Sequence, residues 1–200
     1  RLWRAGFAPL VLECARPAAI RRQVALCEAV YAGKATVEGM TGVLIHSLSE
    51  AVAVWQAGQV PVLVDESASC LKILQPDIVV DAIIAKKNLG TTMDMAPLTI
   101  ALGPGFEAGT DVHAVVETKR GHNLGRVITK GCAAPNSGIP GIIAGYGKER
   151  VLHAPVAGVL HIVKDIGSFV EKGQVIAEIK TADGAVVAVE ASLTGMIRGM

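Results

Sequence analysis

The residues best suited to chemistry fall in two polar stretches, each tied to an apolar run. The first, Lys86-Lys87-Asn88-Leu89-Gly90-Thr91-Thr92-Met93-Asp94, follows the run Ile78-Val79-Val80-Asp81-Ala82-Ile83-Ile84. The second, Lys119-Arg120-Gly121-His122-Asn123-Leu124-Gly125-Arg126, leads into Val127-Ile128. Cations, an amide, hydroxyls and flexible glycines at a strand end suit an anionic ligand, because ammonium and guanidinium groups supply charge while hydroxyl and backbone N–H groups supply donors. The candidate binding residues are Lys86, Lys87, Asn88, Thr91, Thr92, Arg120, His122, Asn123 and Arg126. The plain alternative is two hydrated loops. The binding reading requires both loops to leave the same rim of one sheet, with their cationic and hydroxyl side chains, Lys86 and Arg126 among them, converging into one shared pocket there.

Two further clusters carry less. The run Pro9-Leu10-Val11-Leu12 ends in Glu13. An acidic residue at that position grips ribose hydroxyls in dinucleotide-binding βαβ units, whose phosphate loop lies about 20 residues earlier, before Arg1 here. Glu13 therefore joins the candidate cofactor-binding set, against the alternative of a solvated strand end. Asp111, His113 and Glu117 are all odd-numbered on an expected strand from Val112 to Glu117, so they share a face. They are weak candidates for a metal or for acid–base work. Structural hydrogen bonding is the better reading, and no metal is assigned.

The elements that must position these residues alternate. Leu2, Trp3 and Ala5 before Gly6 read as a helix end with a glycine cap. Ile20, Val24, Cys27 and Tyr31 repeat at helical spacing. Residues 33–46 read as a strand or hairpin. Ser47-Leu48-Ser49-Glu50 is a capping box opening a helix with Leu48, Ala51, Val52 and Trp55 on one face. Pro61–Val64 is a buried strand, Cys70, Leu71 and Leu74 mark a short helix, and 78–84 and Leu98–Leu102 are strands, the latter followed by Gly103-Pro104-Gly105-Phe106. Such alternation predicts a Rossmann-like α/β domain with a mainly parallel sheet, over residues 1–147. Ligands of such sheets bind beyond the carboxyl ends of the strands.

Composition bounds the rest. The 200 residues hold 19 Lys plus Arg and 18 Asp plus Glu, a net charge of +1 that argues against a nucleic-acid binder. The chain is 51% hydrophobic, with mean hydropathy +0.46. The longest charge-free stretch, Gly131 to Gly147, holds Pro135, Pro140 and several glycines and cannot be a membrane-spanning helix. Cys14, Cys27, Cys70 and Cys132 form no C-x-x-C pair, so zinc and disulfide frameworks are not indicated, and reduced cytoplasmic thiols are expected. Arg1 reads as the tail of a helix and Met200 as the inside of a strand, so a fragment truncated at both ends is expected.

After the Pro/Gly-rich connector the pattern shifts to short strands, giving an expected second domain over 148–200. Ala154-Pro155-Val156-Ala157-Gly158-Val159-Leu160 is echoed by Ala191-Ser192-Leu193-Thr194-Gly195-Met196-Ile197. Between them lies Gly167-Ser168-Phe169-Val170-Glu171-Lys172-Gly173-Gln174-Val175-Ile176. These motifs resemble lipoyl/biotinyl-like domains, which implies a small β barrel-sandwich. Asp183-Gly184 is a type I′ turn signal at the expected hairpin tip. The nearest lysine, Lys180, lies about four residues from the place of a modified lysine, so no swinging arm is expected.

A wider resemblance rests on Pro17-Ala18-Ala19-Ile20-Arg21-Arg22, Val37-Glu38-Gly39, Asp81 through Thr92, Leu102-Gly103-Pro104-Gly105-Phe106, Asp111-Val112-His113-Ala114-Val115, Glu117, Arg120 through Arg126 and Asn136-Ser137-Gly138-Ile139-Pro140-Gly141. Together these resemble the YqeB-type selenium-dependent molybdenum hydroxylase accessory proteins. A-K-K-N-L-G-T-T and R-G-H-N-L-G-R are the most specific runs. The glycine-rich G-A-G-D-L-A-T-G turn near the start of such proteins is absent. The resemblance implies a cytoplasmic factor that helps mature a xanthine-dehydrogenase-type hydroxylase and docks on its apo-enzyme. A nucleotide or molybdopterin-type ligand would suit the cationic loops, and a phosphate-bearing small molecule is the expected partner class. Homo-oligomerisation and turnover are left open. The competing readings are an NAD(P)-binding oxidoreductase, suggested by Glu13, and a non-catalytic binding or scaffold module.

Overall fold

The computed structural model describes residues 1–138 and 141–200. The protein is a mixed α/β chain with several small sheets and few helices. Its contacts divide it into two compact units, residues 1–67 with 139–200, and residues 68–138. The division at 147/148 expected from strand pattern follows a change in local sequence. The compact units follow long-range contact, and the two divisions differ.

In the first unit a 3-10 turn, Trp3–Ala5, ends at Gly6 with φ +88°, as the sequence predicts. The strands are β1 (Val11–Glu13), β2 (Lys34–Val37), β3 (Met40–Ile45) and β4 (Val60–Val64). They form one sheet in the order β1-β4-β3-β2. β1, β4 and β3 run parallel, and β2 returns antiparallel to β3 through a tight hairpin. α1 (Ala29–Ala32) precedes β2, and α2 (Ala51–Gln56) carries the chain from β3 to β4. The capping box is present: Glu50 reaches back so that its Oε1 accepts from the Ser47 N–H at 2.8 Å.

The helix expected along Ile20, Val24, Cys27 and Tyr31 does not form. Two 3-10 turns, Arg22–Val24 and Leu26–Glu28, take its place, separated by an extended Ala25. A competing contact and missing burial explain this. The Ile20 carbonyl accepts from the Met200 N–H at 2.7 Å, whereas a helix would need it for Val24. Only Cys27 of the stripe finds the core, while Ile20, Val24 and Tyr31 stay exposed, so the burial that stabilises a surface helix is missing.

The second unit also holds three parallel strands with an antiparallel edge, in a different strand order. α3 (Leu71–Leu74) leads to β5 (Ile78–Asp81), β6 (Leu98–Leu102), β7 (Glu107–Ala108), β8 (Ala114–Val116), β9 (Val127–Ile128) and β10 (Gly131–Cys132). β5, β6 and β8 are parallel, β9 closes the edge antiparallel to β8, and β7 pairs with β10. Ala101, Phe106, Ala108, Val112, Val115 and Ala133 form the core.

The remaining strands are β11 (Val159–Ile162), β12 (Phe169–Val170), β13 (Val175–Lys180), β14 (Val186–Glu190) and β15 (Gly195–Met196). They make an antiparallel sheet β11-β13-β14 and a pair β12-β15, around Val170, Ile176, Ala191 and Ile197. Among the described residues these strands close no barrel. The β13–β14 turn passes through Asp183-Gly184, with Gly184 at φ +87°. Arg22 and Asp165 form an ion pair at 2.5 Å that joins this region to the N-terminal segment. Of the run from Asn136 to Gly141, Ile139 and Pro140 lie outside the described residues.

Candidate functional site

Parallel pairing puts the carboxyl ends of β5, β6 and β8 on one rim of the second unit. The loop from Ala82 to Thr92 leaves that rim after Asp81, and the loop from Thr118 to Arg126 leaves it after β8. Arg126 returns to the same rim, because its carbonyl accepts from the Glu117 N–H at 2.9 Å just before β9. Lys86 and Arg126 therefore lie on the same rim. β5 and β9 are the two edges of this sheet. Three strand spacings of about 4.8 Å separate their backbones by about 14 Å. The Gly103-Pro104-Gly105 turn lies between the two loops and touches both. A β-carbon on Gly105 would lie 2.5 Å from Lys87 N and Cα, and one on Gly103 would lie 2.7 Å from Thr118 Oγ1.

The first loop is built from its own polar side chains. Asp81 is buried, and its Oδ2 accepts from Thr91 Oγ1 at 2.7 Å while Oδ1 accepts from the Ile83 N–H at 3.1 Å. Asn88 Oδ1 accepts from the N–H groups of Gly90 and Thr91, both at 2.8 Å, and its Nδ2 donates to the Thr91 carbonyl at 2.9 Å. Thr92 Oγ1 donates to Asp94 Oδ1, a bond that holds the Asp94 carboxyl below the ordinary range. Asn88, Thr91 and Thr92 thus shape the loop. Ile84 and Lys86 both sit at positive φ, +58° and +64°, a conformation costly for a β-branched residue. The network around Asp81 and Asn88 holds that backbone in place.

What the loops present outward is charge. Residues 82–92 and 118–126 contain Lys86, Lys87, Lys119, Arg120 and Arg126, and no acidic residue. All five are exposed, and among the described residues none forms an ion pair. His122 and Asn123 are exposed beside them.

A cleft of about 390 Å³ opens at the β9 side of the unit, lined by Glu117, Asn123, Arg126, Ile128, Lys130 and Cys132, among others. Of the candidate binding residues it takes Asn123 and Arg126, while Lys86 and Lys87 are not in its lining, so the two loops share a rim but not this cleft, and the expected shared pocket is not formed by it. Lys130 and Cys132 are additions that loop composition did not single out. Glu117 is buried, and its carboxylate accepts from the N–H groups of Ala134 at 2.8 Å and Lys119 at 2.7 Å. Those two bonds, Ala134 first, hold its carboxyl below the ordinary carboxylate range.

Asp111, His113 and Glu117 do not line one strand face. β8 begins only at Ala114, and Asp111 lies in the turn before it, where its Oδ2 accepts from the Glu107 N–H at 2.8 Å. His113 Nδ1 accepts from the Thr99 N–H at 3.0 Å, on β6. Among the described residues no group of three or more His, Cys, Asp or Glu is placed to hold a metal ion.

Glu13 lies in the first unit, at the carboxyl end of β1, and the other candidate residues lie in the second. It is half-buried, and burial pushes its carboxyl above the ordinary range. Burial, with Glu13 next in weight, pushes the Cys27 thiol up as well. A second hollow in this unit, lined by Trp3, Phe7 and Trp55, is fixed by Trp55 Nε1 donating to the Pro9 carbonyl at 2.9 Å.

No protein-family model matches the chain, and no solved structure matches it. All 200 residues are similar to the Uncharacterized protein YqeB of Escherichia coli (strain K12), at 50% identity. The chain spans 36% of the length of that relative. No helix among the described residues is long and apolar enough to cross a membrane.

Proposed function

We propose that this chain is the ligand-binding part of an accessory factor for maturing a selenium-dependent molybdenum hydroxylase of the xanthine dehydrogenase type. It holds a phosphate-bearing ligand, a nucleotide or a molybdopterin-type cofactor, at the carboxyl rim of β5-β6-β8-β9. One observation carries the reading: Lys86, Lys87, Lys119, Arg120 and Arg126 lie on two loops of one rim with no acidic residue among them. Uncompensated cations at the carboxyl ends of parallel strands favour an anion there. The similarity to YqeB across the whole chain supports the family side of the proposal. On this reading the second unit is a Rossmann-like sheet, the strands from β11 onward are half of a barrel-sandwich, and the factor acts in the cytoplasm on the apo-hydroxylase.

Calorimetric titration with inorganic pyrophosphate tests the ligand site. Lys86→Ala with Lys87→Ala weakens binding at least about a hundredfold if the site is correct, since each charge-assisted bond contributes about 1.5–3 kcal/mol. Unchanged binding removes the site. Co-purification with an apo-hydroxylase tests the maturation role separately.

A second reading rests on Glu13, which ends a strand parallel to β4 as a ribose-gripping carboxylate would. It makes the protein an NAD(P)-binding oxidoreductase, and saturable quenching or enhancement of NADH fluorescence, lost in Glu13→Ala, would favour it.

A further inference from the structure

Each tryptophan of the chain is tied to the segment that carries the other. Trp3, in the turn Trp3–Ala5, donates its indole N–H to the Gly58 carbonyl at 3.0 Å, just after α2. Trp55, in α2, donates its indole N–H to the Pro9 carbonyl at 2.9 Å, just ahead of β1. The sequence holds only these two tryptophans. An indole has a single donor, and both donors here go to backbone carbonyls. Neither ring can turn over without breaking its bond, so both are held in one orientation.

The tied rings frame a hollow of about 270 Å³, lined by Trp3, Gly6, Phe7, Ala8, Trp55 and Gln59. Both tryptophans are half-buried, and Phe7, the third ring, is 52% exposed. Aromatic surface left open in this way is surface that a ligand can cover. Among the described residues no charged side chain lines the hollow. Its polar side chain is Gln59, half-buried ahead of β4, whose backbone N–H donates to the Val54 carbonyl at 3.0 Å. The Gln59 side-chain amide has no hydrogen-bond partner among the described residues. It presents donor and acceptor side by side.

Position separates this hollow from the sites already described. Pro9 and Gln59 precede β1 and β4, which run parallel, so the hollow lies at the amino ends of these strands. Glu13 closes β1 at the opposite, carboxyl end. The cationic loops belong to the other compact unit.

We propose that the hollow binds a neutral purine-type ring, stacked on the aromatic wall of Trp3, Phe7 and Trp55 and read by the Gln59 amide. The aromatic wall favours a planar π-system, because every base has a face that stacks. A lining without charge favours a neutral ring over an anion. The paired donor and acceptor of Gln59 match the amino group and ring nitrogen of adenine, the bidentate pairing that glutamine makes with that base. Ligand sites commonly measure about 300–1,000 Å³. At about 270 Å³ this one takes a single ring system and not a whole dinucleotide. A quaternary ammonium group also suits aromatic walls, by cation–π attraction, but leaves the Gln59 donor without a partner. The inference stands independently of the phosphate site on the second unit.

Both tryptophans line the hollow, so intrinsic tryptophan fluorescence reads it directly. The titrants are adenine and unsubstituted purine. Neither carries a phosphate, so the cationic loops do not contribute. Adenine quenches the emission saturably, with an affinity at least about fivefold above that of purine, which lacks the amino donor. Gln59→Ala abolishes that difference. Phe7→Ala, which truncates an exposed ring, weakens both ligands at least about fivefold through the loss of one stacking partner. The comparison of two ligands on the unaltered protein does not depend on the folding of any variant. Quenching that rises without saturation, equal affinities for adenine and purine, or displacement of adenine by choline would each overturn the proposal. None of these outcomes bears on pyrophosphate binding, so the two sites fail separately.

Discussion

Gly105 packs directly against the backbone of Lys87: a β-carbon at 105 would lie 2.5 Å from Lys87 N and Cα, and Gly105 sits at φ +109°. The turn after β6 thereby sets the position of the cationic loop after β5, through main-chain atoms that cannot move aside as a flexible side chain would. Two costs meet in Gly105→Ala. A left-handed backbone costs a non-glycine residue about 1–2 kcal/mol, and the clash adds to it. We expect a loss of at least about 2 kcal/mol in urea unfolding, together with weaker pyrophosphate binding although no charge has changed. Wild-type affinity in a folded Gly105→Ala protein would show that the Lys87 backbone position is immaterial to the ligand.

The Asp81 carboxylate anchors the same loop from beneath. Asp81→Ala leaves Thr91 Oγ1 and the Ile83 N–H without their partner in a partly buried site. The expected loss is about 1–3 kcal/mol. Thr91→Val removes only one of the two bonds and should cost less. Equal stability of Asp81→Ala and wild type in denaturant titrations would contradict this account of the loop.

Glu117 gives the acid limb of stability a definite sign. Its folded-state pKa is depressed by the Ala134 and Lys119 N–H groups, so its stabilising contribution is whole above the ordinary glutamate range. That contribution is lost as pH falls from the ordinary range through the lower folded value. Glu117→Gln should therefore lower stability at neutral pH and flatten its decline in acid, read from urea midpoints at a series of pH values. Glu13 has the opposite sign, because burial raises its folded-state pKa. Its contribution is present below the unfolded value and is lost as pH rises through the folded one, so Glu13→Gln should gain stability relative to wild type at neutral pH.

The four thiols should separate by accessibility. Cys132 is exposed and Cys14 is half-buried, whereas Cys27 and Cys70 are buried. Titration with an aromatic disulfide reagent should modify Cys132 first and Cys14 more slowly, with Cys27 and Cys70 reacting only on unfolding. Early modification of Cys27, located by mass spectrometry, would contradict the packing around α1.

Local signals in the sequence carried well where the structure is local. Gly6 as a helix cap, the Ser47/Glu50 capping box, the hairpin within 33–46 and the strand Leu98–Leu102 all form where expected. Spacing failed along Ile20 to Tyr31 because a distant residue, Met200, takes the Ile20 carbonyl. Composition found the cationic loops but could not separate structural from free groups: Asn88, Thr91 and Thr92 looked like ligand donors and are used inside their own loop. Asp81, which organises that loop, was hidden among the valines and isoleucines of a strand. An acidic residue in the middle of an otherwise apolar run was the available signal. That Glu13 belongs to one compact unit and the loops to another depends on long-range contacts that no local window reports.

The central claim is that cations of two loops act on one anion at the rim of β5-β6-β8-β9. Its most direct test is a double-mutant cycle: pyrophosphate affinity measured by calorimetry on wild type, Lys86→Ala, Arg126→Ala and the pair. The account predicts saturable binding weakened about tenfold by each single change, 1.4 kcal/mol apiece, with effects that do not simply add in the double variant. Wild-type protein without saturable binding, or an Arg126→Ala affinity equal to wild type, would contradict it.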